Sequence, residues 1–508
     1  MGTGTGEALP GPGRCGPGAA GAYNRSDGKS HRAGRVADGV VVPLEGLGQH
    51  NPARGKDPCH IARLQRKGPV GECLMANDTL DTTRELQRKL YRAAKRSPAR
   101  RFHALYDKVY RRDILERAWE EVRRNRGAPG VDGVTIAQVE AQGVEGFLDT
   151  LAAELQGGTY RPLPVRRVTI PKPQGGERNL GVPAVRDRVV QAAAKAVLEP
   201  IFEADFLDCS FGFRPGRSAH QALEAIRVEV NRGRCWVVDA DIAGFFDNIR
   251  PEVLGAALAE RVSDRRMGKL IMGWLKAGVL AGETLLHPQA GTPQGGVASP
   301  LLANVVLHRL DRAWQARHRR LGVLVRYCDD LVILCPTKER AEAALAVLTR
   351  LLADLGLTLA AAKTHLVDLR APGSGFDFLG FQHRRVESFT RRGRYFCARW
   401  PSTRAVRAAK QRIRERTDRR WLLLPVEDVV RDLNRFLVGW RSYFRQGNST
   451  TVFHDLDRFV TDRMARFIAN KHGYRGRNYG LLVLIGHDYL GLQRLVGSVR
   501  HGTVHAVR

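Results

Sequence analysis

Tyr327-Cys328-Asp329-Asp330 places two adjacent carboxylates between the apolar runs Leu321–Val325 and Leu331–Cys335. Two β-branched-rich runs with almost no residues between them predict a tight β-hairpin with both acids at its turn. Like charges side by side on an apolar hairpin repel unless a cation lies against them. Hard divalent ions such as Mg²⁺ take carboxylate and phosphate oxygens together. A second acidic site lies upstream, in Arg234-Cys-Trp-Val-Val-Asp-Ala-Asp-Ile-Ala-Gly-Phe-Phe-Asp-Asn-Ile249. Cys235–Val238 predicts a short strand, and alternation along it puts Asp239 and Asp241 on one face. If the two strands are neighbours, Asp241 projects toward Asp329 and Asp330, and the backbone carbonyl of Ile242 is a further oxygen ligand. Three carboxylates converging on two metal ions suit phosphoryl transfer to a 3′-hydroxyl. One ion lowers the pKa of the attacking hydroxyl and the other neutralises the leaving pyrophosphate, with the ions roughly 3.5–4 Å apart. Asp239 and Asp247 are assigned to capping or packing. An Asp-rich surface turn is the competing account of Asp329-Asp330 taken alone.

Further blocks follow in a fixed order: Ile170-Pro-Lys-Pro173, Arg178-Asn-Leu-Gly181, Gly212-Phe-Arg-Pro-Gly-Arg-Ser218, Asp241–Asp247, Thr292–Leu301, Tyr327–Asp330, Leu357–Thr364 and Phe378-Leu-Gly-Phe381. Singly each is weak. As an ordered set, running from about residue 105 to about residue 470, the chain resembles a reverse transcriptase of the group II intron maturase family, of the kind lacking an endonuclease domain. Cys328 departs from that family's Tyr-Ala-Asp-Asp turn but is small and keeps both acids. The resemblance implies an α+β right-hand polymerase with a ferredoxin-like palm and an α-helical thumb. It makes Asp241, Asp329 and Asp330 catalytic, with two Mg²⁺ ions (Mn²⁺ as substitute) held by these acids and the Ile242 carbonyl. Lys172 and Arg178, on facing strands of a hairpin, clamp the incoming triphosphate, the arginine through its bidentate fork. Phe246 excludes the ribose 2′-hydroxyl, Gln294 contacts the nucleotide sugar and Lys363 lies near the primer end. The implied partners are intron RNA, an RNA template with a DNA primer, dNTPs and target DNA.

Residues 1–78 are rich in Gly, Pro and Arg without hydrophobic periodicity and are expected to be disordered; Met75 is an alternative candidate start. Residues 79–134 form a basic helical extension with an amphipathic helix around Ile114–Val122, closed by the turn-dense Gly127–Gly133. Fingers are expected over 135–233 and the palm over 234–385. After the acidic hairpin, Ala341, Ala344, Leu345, Leu348, Leu351, Leu352 and Leu355 make one apolar stripe stopped by Gly356. A helical thumb and maturase domain spans 386–470. Val426, Val429, Val430, Leu433, Phe436, Leu437, Trp440 and Phe444 follow the helical period. Leu433–Phe444 resembles the maturase-specific block. Lys410, Arg412, Arg414, Arg435, Arg441 and Arg445, on other faces, are candidate RNA contacts through phosphates and 2′-hydroxyls. Residues 471–508 are expected to be a short basic tail without the Cys/His cluster of an HNH endonuclease.

Composition agrees. Lys+Arg 82 against Asp+Glu 52 in 508 residues gives a net charge of +30, which suits a polyanionic partner because neutralising phosphates releases counterions. No run of eighteen apolar residues marks a membrane span, and no charged start with an apolar core marks a secretory signal. Eight cysteines without Cys-x-x-Cys pairs suit a reducing cytoplasm. The competing functional classes are a retron-type, diversity-generating or defence-associated reverse transcriptase, and a splicing factor with little polymerase activity. The maturase-like block argues against the first and the intact acids against the second.

Overall fold

The computed structural model describes residues 70–171, 177–281, 284–286, 295–473 and 490–500. Its strands are β1 (Val165–Pro171), β2 (Glu177–Val182), β3 (Trp236–Asp241), β4 (Val279–Ala281), β5 (Thr284–Leu286), β6 (Val323–Tyr327), β7 (Asp330–Cys335), β8 (His365–Asp368), β9 (Phe376–Phe378), β10 (Phe381–Glu387) and β11 (Tyr395–Pro401). They form three sheets, ordered β2-β1-β4-β5, β6-β7-β3-β8 and β11-β10-β9.

The β6-β7-β3-β8 sheet is the palm. In chain order it runs β3, helix Ser299–Ala313, β6, β7, helix Lys338–Asp354, β8, with further elements inserted before the first of these helices, and every neighbouring pair is antiparallel. That is the split β-α-β unit of the ferredoxin-like fold. Side chains alternate across the sheet, so it is buried on both faces. Val238, Ala240, Leu331 and Ile333 join one core with the two palm helices. Val237, Val325, Val332 and Leu334 join a second core with helix Ala219–Asn231 and the C-terminal helices. Burying each of these valine, leucine and isoleucine side chains contributes about 1.5–3 kcal/mol. The predicted stripe of Lys338–Asp354 is observed: Ala341, Ala344, Leu348 and Leu352 are fully buried, Thr337 caps its start and Gly356, at φ +70°, follows its end.

The C-terminal bundle consists of helices Thr403–Arg416, Val426–Phe444 and Thr450–His472. It docks on the palm through Phe378-Leu-Gly-Phe381. The Tyr443 hydroxyl donates to the Leu379 carbonyl at 2.9 Å, and the Phe444 ring lies 4.9 Å from that of Phe381.

Several expected boundaries move. Helix Val70–Arg96 begins inside the segment expected to be disordered; residues 1–69 lie outside the described residues. β4 and β5, expected in the palm, join the fingers sheet, where β4 pairs in parallel with β1 through Val165↔Val279. β11 carries the sheet structure to Pro401, and the bundle starts only after Ser402, whose side chain accepts from the Ala405 N–H. Residues 490–500 are not a loose tail. Leu492 and Leu495 are buried, and the Asp457 carboxylate accepts from the N–H groups of Leu495 and Val496.

Candidate active site

Tyr327 and Asp330 face each other across the β6–β7 ladder, leaving Cys328 and Asp329 as a two-residue turn. Cys328 has φ +60°, and a positive φ at the first central position is the II′ geometry, usually given to glycine. A cysteine held there costs of order 1–3 kcal/mol and persists only where its surroundings fix it. They do so closely: a Cβ added to Gly212 would lie 2.6 Å from the Cys328 nitrogen, so the Gly212 backbone is pressed against the turn. Cys328 itself is buried.

β3 and β7 bring the upstream acids to this turn. Asp241 lies directly opposite Asp330, and Asp239 lies one pleat back on the same face, opposite Val332. Burial, and then the charges of Asp329 and Asp241, push the Asp330 carboxyl up to about 6. Burial, and then Asp330, Asp377 and Asp241, push Asp239 up to about 7. Asp239 thus stands on the same face as Asp241, as the alternation of the strand implies. Lys363, on the short turn Ala361–Lys363, puts Nζ 2.5 Å from Asp241 Oδ2. The backbone bridge beyond β3 is closed by the Asp241 carbonyl and the Ala243 N–H, so it does not use the Ile242 carbonyl.

Among the described residues, no three carboxylate, His or Cys side chains already converge on one point. Yet these residues fit a divalent cation. The donors are hard oxygens, two of the acids are held against their own repulsion, and a cationic ammonium rests on the third.

Of the remaining predicted nucleotide-binding residues, Phe246 and the Arg178 backbone are among the described ones. Phe246 sits half-buried on the turn of helix Phe245–Asn248, its ring 5.2 Å from that of buried Phe245. The Arg178 backbone lies opposite Ile170 in the β1–β2 hairpin. Lys172 and Gln294 fall outside the described residues. The Arg178–Gly181 block and the Thr292–Leu301 block meet: a Cβ on Gly295 (φ +118°) would lie 2.5 Å from the Gly181 carbonyl oxygen.

Sequence reasoning missed the support beneath the turn. On the face of the palm sheet opposite the acids, the Arg326 guanidinium pairs with Asp311 at 2.6 Å, both side chains fully buried. It also donates to Asn304 Oδ1, Ser210 Oγ and the Cys328 carbonyl, and Asn304 donates to the Gly212 carbonyl. A lone arginine inside an apolar strand was the available signal.

The expected RNA contacts divide. Arg412, Arg414 and Arg435 are exposed. Lys410 and Arg414 lie over the Phe459 ring at 5.4 and 5.3 Å. Arg441 and Arg445 do not stand on an open face. Arg441 donates to the Arg494 carbonyl at 3.0 Å, and the Arg445 carbonyl accepts from the Arg500 N–H, because residues 490–500 cover that side of the helix.

A ferredoxin-like palm with acids at its strand ends, a fingers sheet and a helical thumb define a right-hand nucleic-acid polymerase. Comparison with known proteins is more specific. Residues 170–383 match the reverse transcriptase (RNA-dependent DNA polymerase) family, and residues 406–480 the group II intron maturase-specific domain. Protein YkfC of Escherichia coli (strain K12) is 35% identical over 349 residues, 61% of this chain and 90% of that protein. The group II intron-encoded protein LtrA of Lactococcus lactis subsp. cremoris is 40% identical over 212 residues, 42% of this chain and 35% of LtrA, so the match spans about a third of that longer relative. A chain of a partial Cas6-RT-Cas1–Cas2 complex is 25% identical over 49% of this chain and 41% of that one, at a TM-score of 0.31. The chain belongs to the group II intron reverse transcriptase and maturase family, and is an RNA-directed DNA polymerase whose partners are nucleic acids. Among the described residues no helix is long and apolar enough to cross a membrane.

Proposed function

We propose that Asp241, Asp329 and Asp330 form the catalytic centre for copying RNA into DNA, and that the C-terminal helices hold a parent group II intron RNA in a shape competent for splicing and mobility. The observation that carries the first half is the Asp241–Asp330 pairing at the open end of β3 and β7. Mg²⁺ ions held by these acids would activate the primer hydroxyl and neutralise the leaving pyrophosphate. Around them the chain's own residues bind and orient: Arg178 and Lys172 for the triphosphate, Phe246 and Gln294 for the sugar, Lys363 beside the acids. The match to the maturase-specific domain supports the second half, as do the exposed arginines of the bundle; intron RNA, a primed RNA template, dNTPs and target DNA are the proposed partners.

Asp241→Asn and Asp329→Asn test the site, since each removes charge while keeping bulk and the basic surface. Extension of a DNA primer on RNA in Mg²⁺ should fall by orders of magnitude, with RNA affinity little changed. Near-normal extension by either variant would sink the assignment.

A further inference from the structure

At the end of the palm sheet away from the acids, arginines from three chain segments line one cleft. Arg232 ends helix Ala219–Asn231 and Arg234 precedes β3. Arg319 and Arg320 follow the turn Trp314–His318 and precede β6, and Arg340 lies in the first turn of helix Lys338–Asp354. Five residue steps of β3 separate Trp236 from Asp241, roughly 17 Å of extended chain, so this cleft is a place apart from the acidic centre.

Its charge is largely uncompensated. Arg232 and Arg234 share one carboxylate, Glu229. Among the described residues, no carboxylate pairs with Arg319, Arg320 or Arg340, all of which are exposed. Arg340 instead donates to the Arg320 carbonyl at 3.3 Å, which ties two walls of the cleft together. Arginines near helix C-termini have an ordinary structural explanation, because they oppose the negative end of the helix dipole. That accounts for Arg232 and, in part, for Arg319 and Arg320. It cannot account for Arg340, a cation in the first turn of its helix, where the dipole disfavours positive charge. The three segments hold their positive charges together against mutual repulsion, which an anion spanning the cleft would relieve.

We propose that this cleft is a second nucleic-acid site, binding the phosphodiester backbone of structured RNA while the acidic end of the sheet holds primer and template. Guanidinium forks take phosphate oxygens bidentately, and several of them on facing walls suit a folded RNA, which offers phosphates from more than one direction to a concave surface. The proposal rests on the reading of this chain as a holder of a structured RNA.

The test uses the full chain carrying Arg319→Ala, Arg320→Ala and Arg340→Ala together, all at exposed positions. A group II intron transcript is titrated across about 50–200 mM salt, beside a short primer–template at saturation and a duplex DNA competitor. Affinity for the transcript should fall about tenfold or more, with a log–log salt slope shallower by roughly 2, since each lost phosphate contact removes about 0.7–0.9. Primer extension should be unchanged, and the matching triple lysine variant should keep most of the slope. Unchanged transcript affinity and slope would overturn the site. So would an equal loss of primer extension, which would place the arginines in the polymerase channel, or a loss on duplex DNA without one on RNA. If the wild-type chain binds the transcript no better than duplex DNA, the structured-RNA reading fails as well. If the wild type binds it and the variant binds equally, the cleft alone fails.

Discussion

Arg326 and Asp311 form an ion pair with neither side chain exposed, directly beneath the Tyr327–Asp330 turn. Burying both charges is tolerable because the guanidinium is also bonded to Asn304, Ser210 and the Cys328 carbonyl. Arg326→Met leaves Asp311 uncompensated and should destabilise the fold by about 3–5 kcal/mol. Adding Asp311→Leu removes the stranded charge and should restore much of that stability. The Cys328 carbonyl still lacks its donor, so single-turnover extension should stay at least ~10-fold slow while the KM for dNTP changes less, since small misplacements of reacting groups are costly. Recovery of rate together with stability would reduce Arg326 to a structural role.

Phe246 stands half-buried beside the acidic strand, fixed by the turn that Gly244 starts with φ +51°. Phe246→Val opens space without removing the turn and should admit ribonucleotides while dNTP use persists. Single-nucleotide incorporation kinetics decide this, and an unchanged dNTP/rNTP preference would assign Phe246 to packing alone.

Asp187 accepts from the Tyr160 hydroxyl at 2.6 Å and from the Leu163 N–H, yet burial pushes its carboxyl up to about 6. The folded protein thus holds this proton more tightly than the unfolded chain. Stability from this group is present below about pH 4 and is lost as pH rises through 6, by on the order of 2–3 kcal/mol. Asp239 and Asp330 shift the same way, so the wild-type curve alone cannot isolate it. Asp187→Asn should flatten the fall in denaturant stability between pH 4 and 7 relative to wild type; parallel curves would refute the shift.

On the bundle, exposure separates binding arginines from packing ones. Arg412→Ala with Arg435→Ala should weaken RNA binding and make its salt slope shallower by about 1.5, with an unchanged melting temperature. Arg441→Ala should instead lower stability by about 0.5–1.5 kcal/mol by removing the bond to the Arg494 carbonyl. The reverse pattern would return Arg441 to the RNA face.

Whatever depends on local spacing was legible in the sequence. Alternation along Trp236–Asp241 put Asp239 and Asp241 on one face, the short gap after Tyr327 forced a tight turn, and the apolar stripe of Lys338–Asp354 marked the helix behind them. Tertiary structure alone decided what rests on contacts between distant segments. That β3 lies beside β7, setting Asp241 opposite Asp330, follows from antiparallel pairing across about ninety residues. β4 joins the fingers through a short parallel pairing with β1 that no period announces. Arg326 finds Asp311, Asn304 and Ser210 only through contacts between segments distant in sequence. Arg441 and Arg445 looked free because a helical period shows which face is polar. It does not show that residues 490–500 return, through the bonds of Asn434 and Asp457, to cover that face.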